Sequence, residues 1–121
     1  MIYTVTMNPS LDYLLSLPAL QAGETNRSAA ERLVAGGKGI NVSKMLYNLG
    51  TDSIIWGFAG GFSGEELCRQ LTAAGLRQEL IFLHNGNTRI NVKLSAGQET
   101  EVNAKGPQAE EEALQIFYRR L

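Results

Sequence analysis

The sequence predicts an α/β fold, a mostly parallel sheet flanked by helices with a small second β-sheet beside it. Three observations carry that expectation. Up to Leu83, β-rich segments alternate with helical stripes, the pattern of parallel strands joined by right-handed helical crossovers. A glycine cluster carrying one lysine, Gly36-Gly37-Lys38-Gly39, runs directly into an amphipathic helix. From Arg89 the apolar residues change to strict alternation, the mark of strands with one apolar and one polar face.

Taken in order, Met1 to Met7 reads as a buried strand, because Ile2, Tyr3, Val5 and the threonines suit a pleated surface. Asn8-Pro9-Ser10 ends it by turn chemistry. Asp12 then lies just past a strand's C-terminal end, where open α/β sheets place ligands; a turn aspartate capping a local N–H is the alternative. Tyr13 to Leu17 is extended in character, and Pro18 separates it from a polar loop through Thr25. Asn26 and Arg27 open another short segment leading to the glycines, and a solitary arginine there reads by itself as a solvated surface residue.

The helix after the glycines places Val42, Met45, Leu46 and Leu49 on one stripe, expected to face a core, and Gly50 stops it. At its start, glycines without side chains leave backbone N–H groups approachable, and Lys38 adds positive charge, a combination that favours anions. The familiar phosphate motifs do not fit. Gly39 stands where a Walker A loop needs Ser or Thr, and Val42 stands where a dinucleotide fingerprint needs a small residue. The residues alone leave two readings, a ligand-binding turn and a turn that merely begins a helix.

Ser53 to Ala59 is a second buried strand, and Gly60-Gly61-Phe62 turns the chain. Ser63 and Glu66 have the spacing of a capping box for a helix buried through Leu67, Leu71 and Ala74 and closed by Gly75. A third strand is expected near Leu80 to Leu83. Beyond it, Ile90, Val92 and Leu94 oppose Arg89, Asn91 and Lys93; after Ser95-Ala96-Gly97-Gln98 the alternation resumes through Asn103. This is a half-exposed structural hairpin or a small sheet whose polar face covers a site, to which the pieces near 13–17 and 26–34 could add strands. Gly106-Pro107 opens a last helix, acidic at its start and basic at its end, in keeping with the helix dipole. Its stripe of Leu114, Phe117, Tyr118 and Leu121 is still running at the last residue, so the chain reads as truncated.

At 121 residues the chain holds one domain at most. A net charge of −1 argues against a nucleic-acid binder, so any anion site must be built locally. The single Cys68 excludes an internal disulfide, lacks the company for a zinc cluster, and reads as a buried small apolar residue. No apolar run reaches the roughly 18 residues of a membrane span and no basic segment leads into a signal core, which makes the cytoplasm the expected location.

The segment Gly36 to Gly50 resembles the first signature of the ribokinase-like (PfkB) carbohydrate kinases, and Met7-Asn8-Pro9-Ser10-Leu11-Asp12 is similar to their phosphosugar branch. The likeness continues through 88–94 and 99–103 to Gly106-Pro107. It implies the N-terminal part of one ribokinase-like domain over 1–121, with a small β lid whose strands lie within about 12–35 and 87–104. It also implies transfer of a phosphoryl group from ATP with Mg2+ to a ketose phosphate, fructose 1-phosphate foremost, giving fructose 1,6-bisphosphate; tagatose 6-phosphate and fructose 6-phosphate are the alternatives. Carried over by position, Asp12 and Asn41 hold sugar hydroxyls together with the backbone of Gly36 and Gly37, and Lys38, Arg27 and Arg89 are the cationic contacts. Asn91 and Lys93 are second choices. The family's later glycine-rich signature, with its catalytic aspartate and its nucleotide and metal site, is absent. The chain is therefore expected to carry no catalytic residue, to bind neither ATP nor Mg2+ alone, and to be inactive by itself. A homodimer through the lid, or a non-catalytic sugar-phosphate-binding or lid-pairing module, is the further possibility.

Overall fold

The computed structural model describes all 121 residues and divides the strands between two sheets. In chain order the elements are β1 (Ile2–Thr6), β2 (Ser10–Ser16), β3 (Ala30–Gly36), α1 (Lys38–Asn48), β4 (Ser53–Gly60), α2 (Gly61–Ala73), β5 (Arg77–Leu83), β6 (Arg89–Ala96), β7 (Gln98–Val102) and α3 (Glu111–Arg120). The first sheet has three parallel strands in the order β1-β4-β5. The second has four in the order β3-β2-β6-β7, with β2 and β6 parallel and the outer pairs antiparallel.

The central strand β4 is buried along its whole length because helices cover both its faces. On one side Ile55 and Ala59 pack with Ile40 of α1, Leu67 and Leu71 of α2, and Leu11 and Ala35 from the base of the second sheet. On the other, Ile54, Trp56 and Phe58 meet Ile81, Leu83 and the α3 residues Ala113 and Phe117, whose ring lies 5.6 Å from that of Phe58. The second sheet joins the first cluster through Leu11 at the start of β2, Ala35 at the end of β3 and the partly buried Ile90 at the start of β6.

β1 is an edge strand, so only Thr4 and Thr6 are buried, while Ile2, Tyr3, Val5 and Met7 are exposed. The α1 stripe does not face the core: Val42, Met45 and Leu49 are exposed, and the helix presents Ile40 and Ser43 to the sheet instead. Periodicity gave the right helix and the wrong face, because the buried face is anchored by a polar residue. Ser43 Oγ lies 2.7 Å from both Thr4 Oγ1 and Ser53 Oγ, a buried hydroxyl chain that pins α1 to β1 and β4. The Ser63–Glu66 capping box is absent; α2 begins earlier, at Gly61, without a side-chain cap. Ser63 Oγ donates instead to Thr88 O at 2.6 Å, and Glu66 accepts from Arg69 and Gln70. Cys68 is half-buried rather than buried, and burial pushes its thiol pKa up. The last helix starts at Glu111, with Gly106 and Pro107 in the loop before it, and of its expected stripe only Phe117 is fully buried.

One contact fixes where the second sheet stops. Gln70 of α2 does for β3 what a neighbouring strand would do, accepting from Ala35 N–H at 3.0 Å and donating to Leu33 O at 3.0 Å. Lys44 Nζ donates to Ala35 O. The outer edge of β3 is thus satisfied just where the strand enters the glycine turn.

Candidate functional site

The glycines at 36–39 are required first by close packing. A Cβ on Gly36 would lie 2.5 Å from Asp12 Oδ2, and one on Gly39 would lie 2.4 Å from Thr6 Oγ1. Gly37 has φ +130°, which side chains rarely adopt, and a Cβ there would meet Thr6 Cγ2 at 2.7 Å. The turn can therefore sit directly on β1 and on Asp12. Having done so, it leaves a helix start without a side-chain cap. The first intrahelical bond is Asn41 N–H to Gly37 O, so the N–H groups of residues 38–40 have no partner within α1.

Beside this turn lies an open cleft of about 230 Å³, walled by residues 5–8 after and within β1, by residues 37–39, and by Arg89. Arg89 is placed by the start of β6. Thr88 exchanges bonds with Gly60 and accepts from Ser63, which fixes that start against α2. Asn8 donates to Lys105 O, and Gly106 passes close beneath both Asn8 and Arg89, closing the cleft's back.

Asp12 lies within β2, not in a turn, and its partners are side chains rather than a local N–H. Its Oδ1 accepts from Ser10 Oγ at 2.7 Å and from Asn91 Nδ2 at 3.3 Å, and its Oδ2 is 3.4 Å from Lys93 Nζ. The register explains this, because Ser10 pairs with Arg89, Asp12 with Asn91 and Leu14 with Lys93 in the parallel β2–β6 ladder. Asp12 and Arg89 thereby share one face of the sheet, two residues apart along the ladder. Asp12 raises the Lys93 pKa, and burial lowers that of Lys44, an effect partly offset by the same carboxylate.

The polar face of the hairpin, not its apolar face, thus borders the glycine turn. Gly37, Lys38 and Arg89 line the cleft there; Gly36 precedes them in the chain with Asp12 packed against it, and neither of these two lines the cleft. Asn41 is exposed on α1 and does not line the cleft. Arg27 is exposed in the loop between β2 and β3. Six residue steps of β2, about 20 Å at the usual strand rise, separate that loop from Ser10. Thr6 and Asn8 were missed; the alternation of β1, which puts Thr4 and Thr6 on one face, was the available signal for Thr6. A larger hollow of about 320 Å³ lies along β2, β6 and β7, but Glu99 and Glu101 line it beside Lys93, which disfavours an anion there.

The residues present do not fit a magnesium ion. Asp12 is the carboxylate packed against the turn, and its oxygens already meet Ser10, Asn91 and Lys93.

This fold is that of a sugar kinase family. The profile of the pfkB family carbohydrate kinases matches residues 5–118, and the chain belongs to that family. It is 41% identical over 122 aligned residues to a 1-phosphofructokinase of Borreliella burgdorferi, covering 100% of this chain and 39% of that one. It is 38% identical to a tagatose-6-phosphate kinase of Staphylococcus epidermidis over 111 residues, 91% of this chain and 36% of that one. Among solved structures, phosphofructokinase-2 from Escherichia coli in complex with fructose-6-phosphate superposes with a TM-score of 0.90 at 26% identity, over 98% of this chain and 40% of that one. The chain therefore spans about two-fifths of the length of the relatives it matches. The ribokinase-like α/β fold expected from the sequence is the fold observed. No helix is long and apolar enough to cross a membrane.

Proposed function

We propose that this chain provides the sugar-phosphate side of a ketose-phosphate kinase, with fructose 1-phosphate as the preferred ligand, and that it does not catalyse phosphoryl transfer by itself. The observation that supports the proposal is the placement of a carboxylate, Asp12, and a guanidinium, Arg89, on one sheet face beside an uncapped helix start. Asp12 accepts a hydrogen bond from a sugar hydroxyl through the acceptor position that Lys93 leaves on Oδ2, while Arg89, Lys38 and the amides at the start of α1 take the existing phosphate. The second sheet acts as the lid. In-line transfer also needs a base, a nucleotide and a metal site; these are assigned to the part of the relatives' length that this chain does not span, where ATP and Mg2+ would bind and supply the transferred group and charge neutralisation.

Calorimetry with fructose 1-phosphate, tagatose 6-phosphate and fructose 6-phosphate tests the ligand. Arg89→Ala should weaken binding of all of them by at least about tenfold, whereas Asp12→Asn should weaken the sugar phosphates and spare inorganic phosphate. Absence of binding by the unaltered chain overturns the proposal, and turnover of fructose 1-phosphate with ATP by the purified 121 residues overturns the assignment of catalysis elsewhere.

A second reading, a non-catalytic module that pairs through the lid, is favoured by the exposed Leu33 and Val102 on the outward apolar side of β3 and β7. In a homodimer of this kind Arg27 would reach the ligand of the opposite chain, since it is too far from the cleft of its own. Sedimentation at micromolar concentration distinguishes monomer from dimer, and Arg27→Ala should weaken fructose 1-phosphate binding only in the dimer.

A further inference from the structure

Two buried side-chain atoms lack a hydrogen-bond partner, Thr6 Oγ1 and Arg89 Nε, and both belong to residues lining the cleft at the start of α1. The coincidence is informative because buried donors without partners are destabilising and correspondingly rare. Other buried hydroxyls of this fold are engaged: Thr4 and Ser53 with Ser43, Ser10 with Asp12, Ser63 with Thr88. Thr6 is 6% exposed and lies directly beneath the glycine turn, its methyl facing Gly37 and its hydroxyl facing Gly39. The same turn leaves the first N–H groups of α1 uncapped.

We infer that Thr6 is a ligand-contacting residue, whose hydroxyl together with Arg89 Nε–H is held unpaired to donate to one oxyanion of the phosphate class at the start of α1. The inference rests on the sugar-phosphate reading of this cleft and adds a residue to it. A hydroxyl, a guanidinium and helix-start amides belong to residues that line one cleft, a donor set that suits the several oxygens of a tetrahedral phosphate. The cost of leaving Thr6 unpaired in the free chain is then recovered on binding.

The test uses Thr6→Val, which keeps the branched shape and removes the hydroxyl, with Thr6→Ser as the variant that restores it. Thermal unfolding without ligand and calorimetric titration with inorganic phosphate are measured on the whole chain, and fructose 1-phosphate is titrated in parallel. Thr6→Val is expected to melt higher than the unaltered chain yet bind inorganic phosphate about tenfold more weakly, while Thr6→Ser binds like the unaltered chain. A purely structural hydroxyl would move stability down and leave binding alone. Thr6→Val that melts lower, or that binds inorganic phosphate as tightly as before, overturns the inference. If that variant also keeps full affinity for fructose 1-phosphate, the sugar-phosphate function stands without Thr6. Thr6-dependent binding of inorganic phosphate with no binding of fructose 1-phosphate leaves the Thr6 assignment standing and removes the sugar; no binding of either by the unaltered chain removes both.

Discussion

Replacing Gln70 by alanine should loosen the strand that delivers the glycine turn. Its side-chain carbonyl accepts from Ala35 N–H and its amide donates to Leu33 O, each at 3.0 Å. Ala35 is 3% exposed, so its N–H has no route to water when the partner is removed, and the cost is that of a buried unsatisfied donor, about 1–3 kcal/mol. Leu33 is exposed, so its carbonyl is rehydrated and adds about 0.5 kcal/mol or less. A total near 2 kcal/mol lowers the melting temperature by about 8 °C, taking about 4 °C per kcal/mol for 121 residues. Differential scanning calorimetry of wild type and Gln70→Ala measures the shift. Gln70→Glu sharpens the test, because it keeps the acceptor for Ala35 but turns the donor into a carboxylate facing Leu33 O and Glu66. Like charge raises the folded-state pKa of that carboxylate, so the deficit relative to wild type should be full at pH 7 and shrink as pH falls through that raised value. Equal melting temperatures for wild type and Gln70→Ala, or a Gln70→Glu deficit that does not shrink in acid, would refute the strand-mimic account of β3.

Ser43→Ala leaves the Thr4 and Ser53 hydroxyls without their shared partner and should lower stability by about 1–3 kcal/mol, read as a lower urea midpoint with unchanged slope. Gly37→Ala places a Cβ 2.7 Å from Thr6 Cγ2 at a φ of +130°, so it should cost about 1–3 kcal/mol in backbone strain alone and abolish phosphate binding by calorimetry. The Glu66 carboxyl is held down to about 2, first by its bonds with Arg69 and then by Gln70. Its contribution is therefore present above its ordinary value and is lost as pH falls from there toward about 2; the pair is exposed, so the stability effect is small. In an NMR titration, Arg69→Ala should return the Glu66 pKa most of the way to normal, and an unmoved titration contradicts the assigned cause.

Local patterns in the sequence revealed the element types, because strand β4 is a continuous buried run while strands β6 and β7 and helix α2 follow simple periodicities. They failed where a polar residue occupies the buried face. α1 was turned outward in reality because Ser43, hydrogen-bonded to Thr4 and Ser53, fills the position that hydrophobicity assigned to its apolar stripe. Ser63 looked like a cap and is instead the anchor of Thr88, a partner 25 residues away that no local rule could supply. The site was legible in part. Motif likeness marked the glycine turn, Asp12 and Arg89, and the parallel register of β2 with β6 brings the last two onto one face. The unpaired state of Thr6 was not legible, since it follows from the closeness of the turn to β1, a tertiary property.

The chain passes between the two sheets through residues 7–9, through Gly37, through residues 84–88 and through residues 103–110. Asn8, Gly37 and Arg89, at or next to three of these passages, wall the cleft, and Gly106 of the fourth supports it from behind. The cleft is consequently the joint of the molecule. Any tilt of one sheet against the other alters the gap between Lys38, which rides on the first layer, and Arg89, which begins a strand of the second. On the proposed function, a ligand gripped by both would act as a strut across that joint, tying occupancy to the inter-sheet angle.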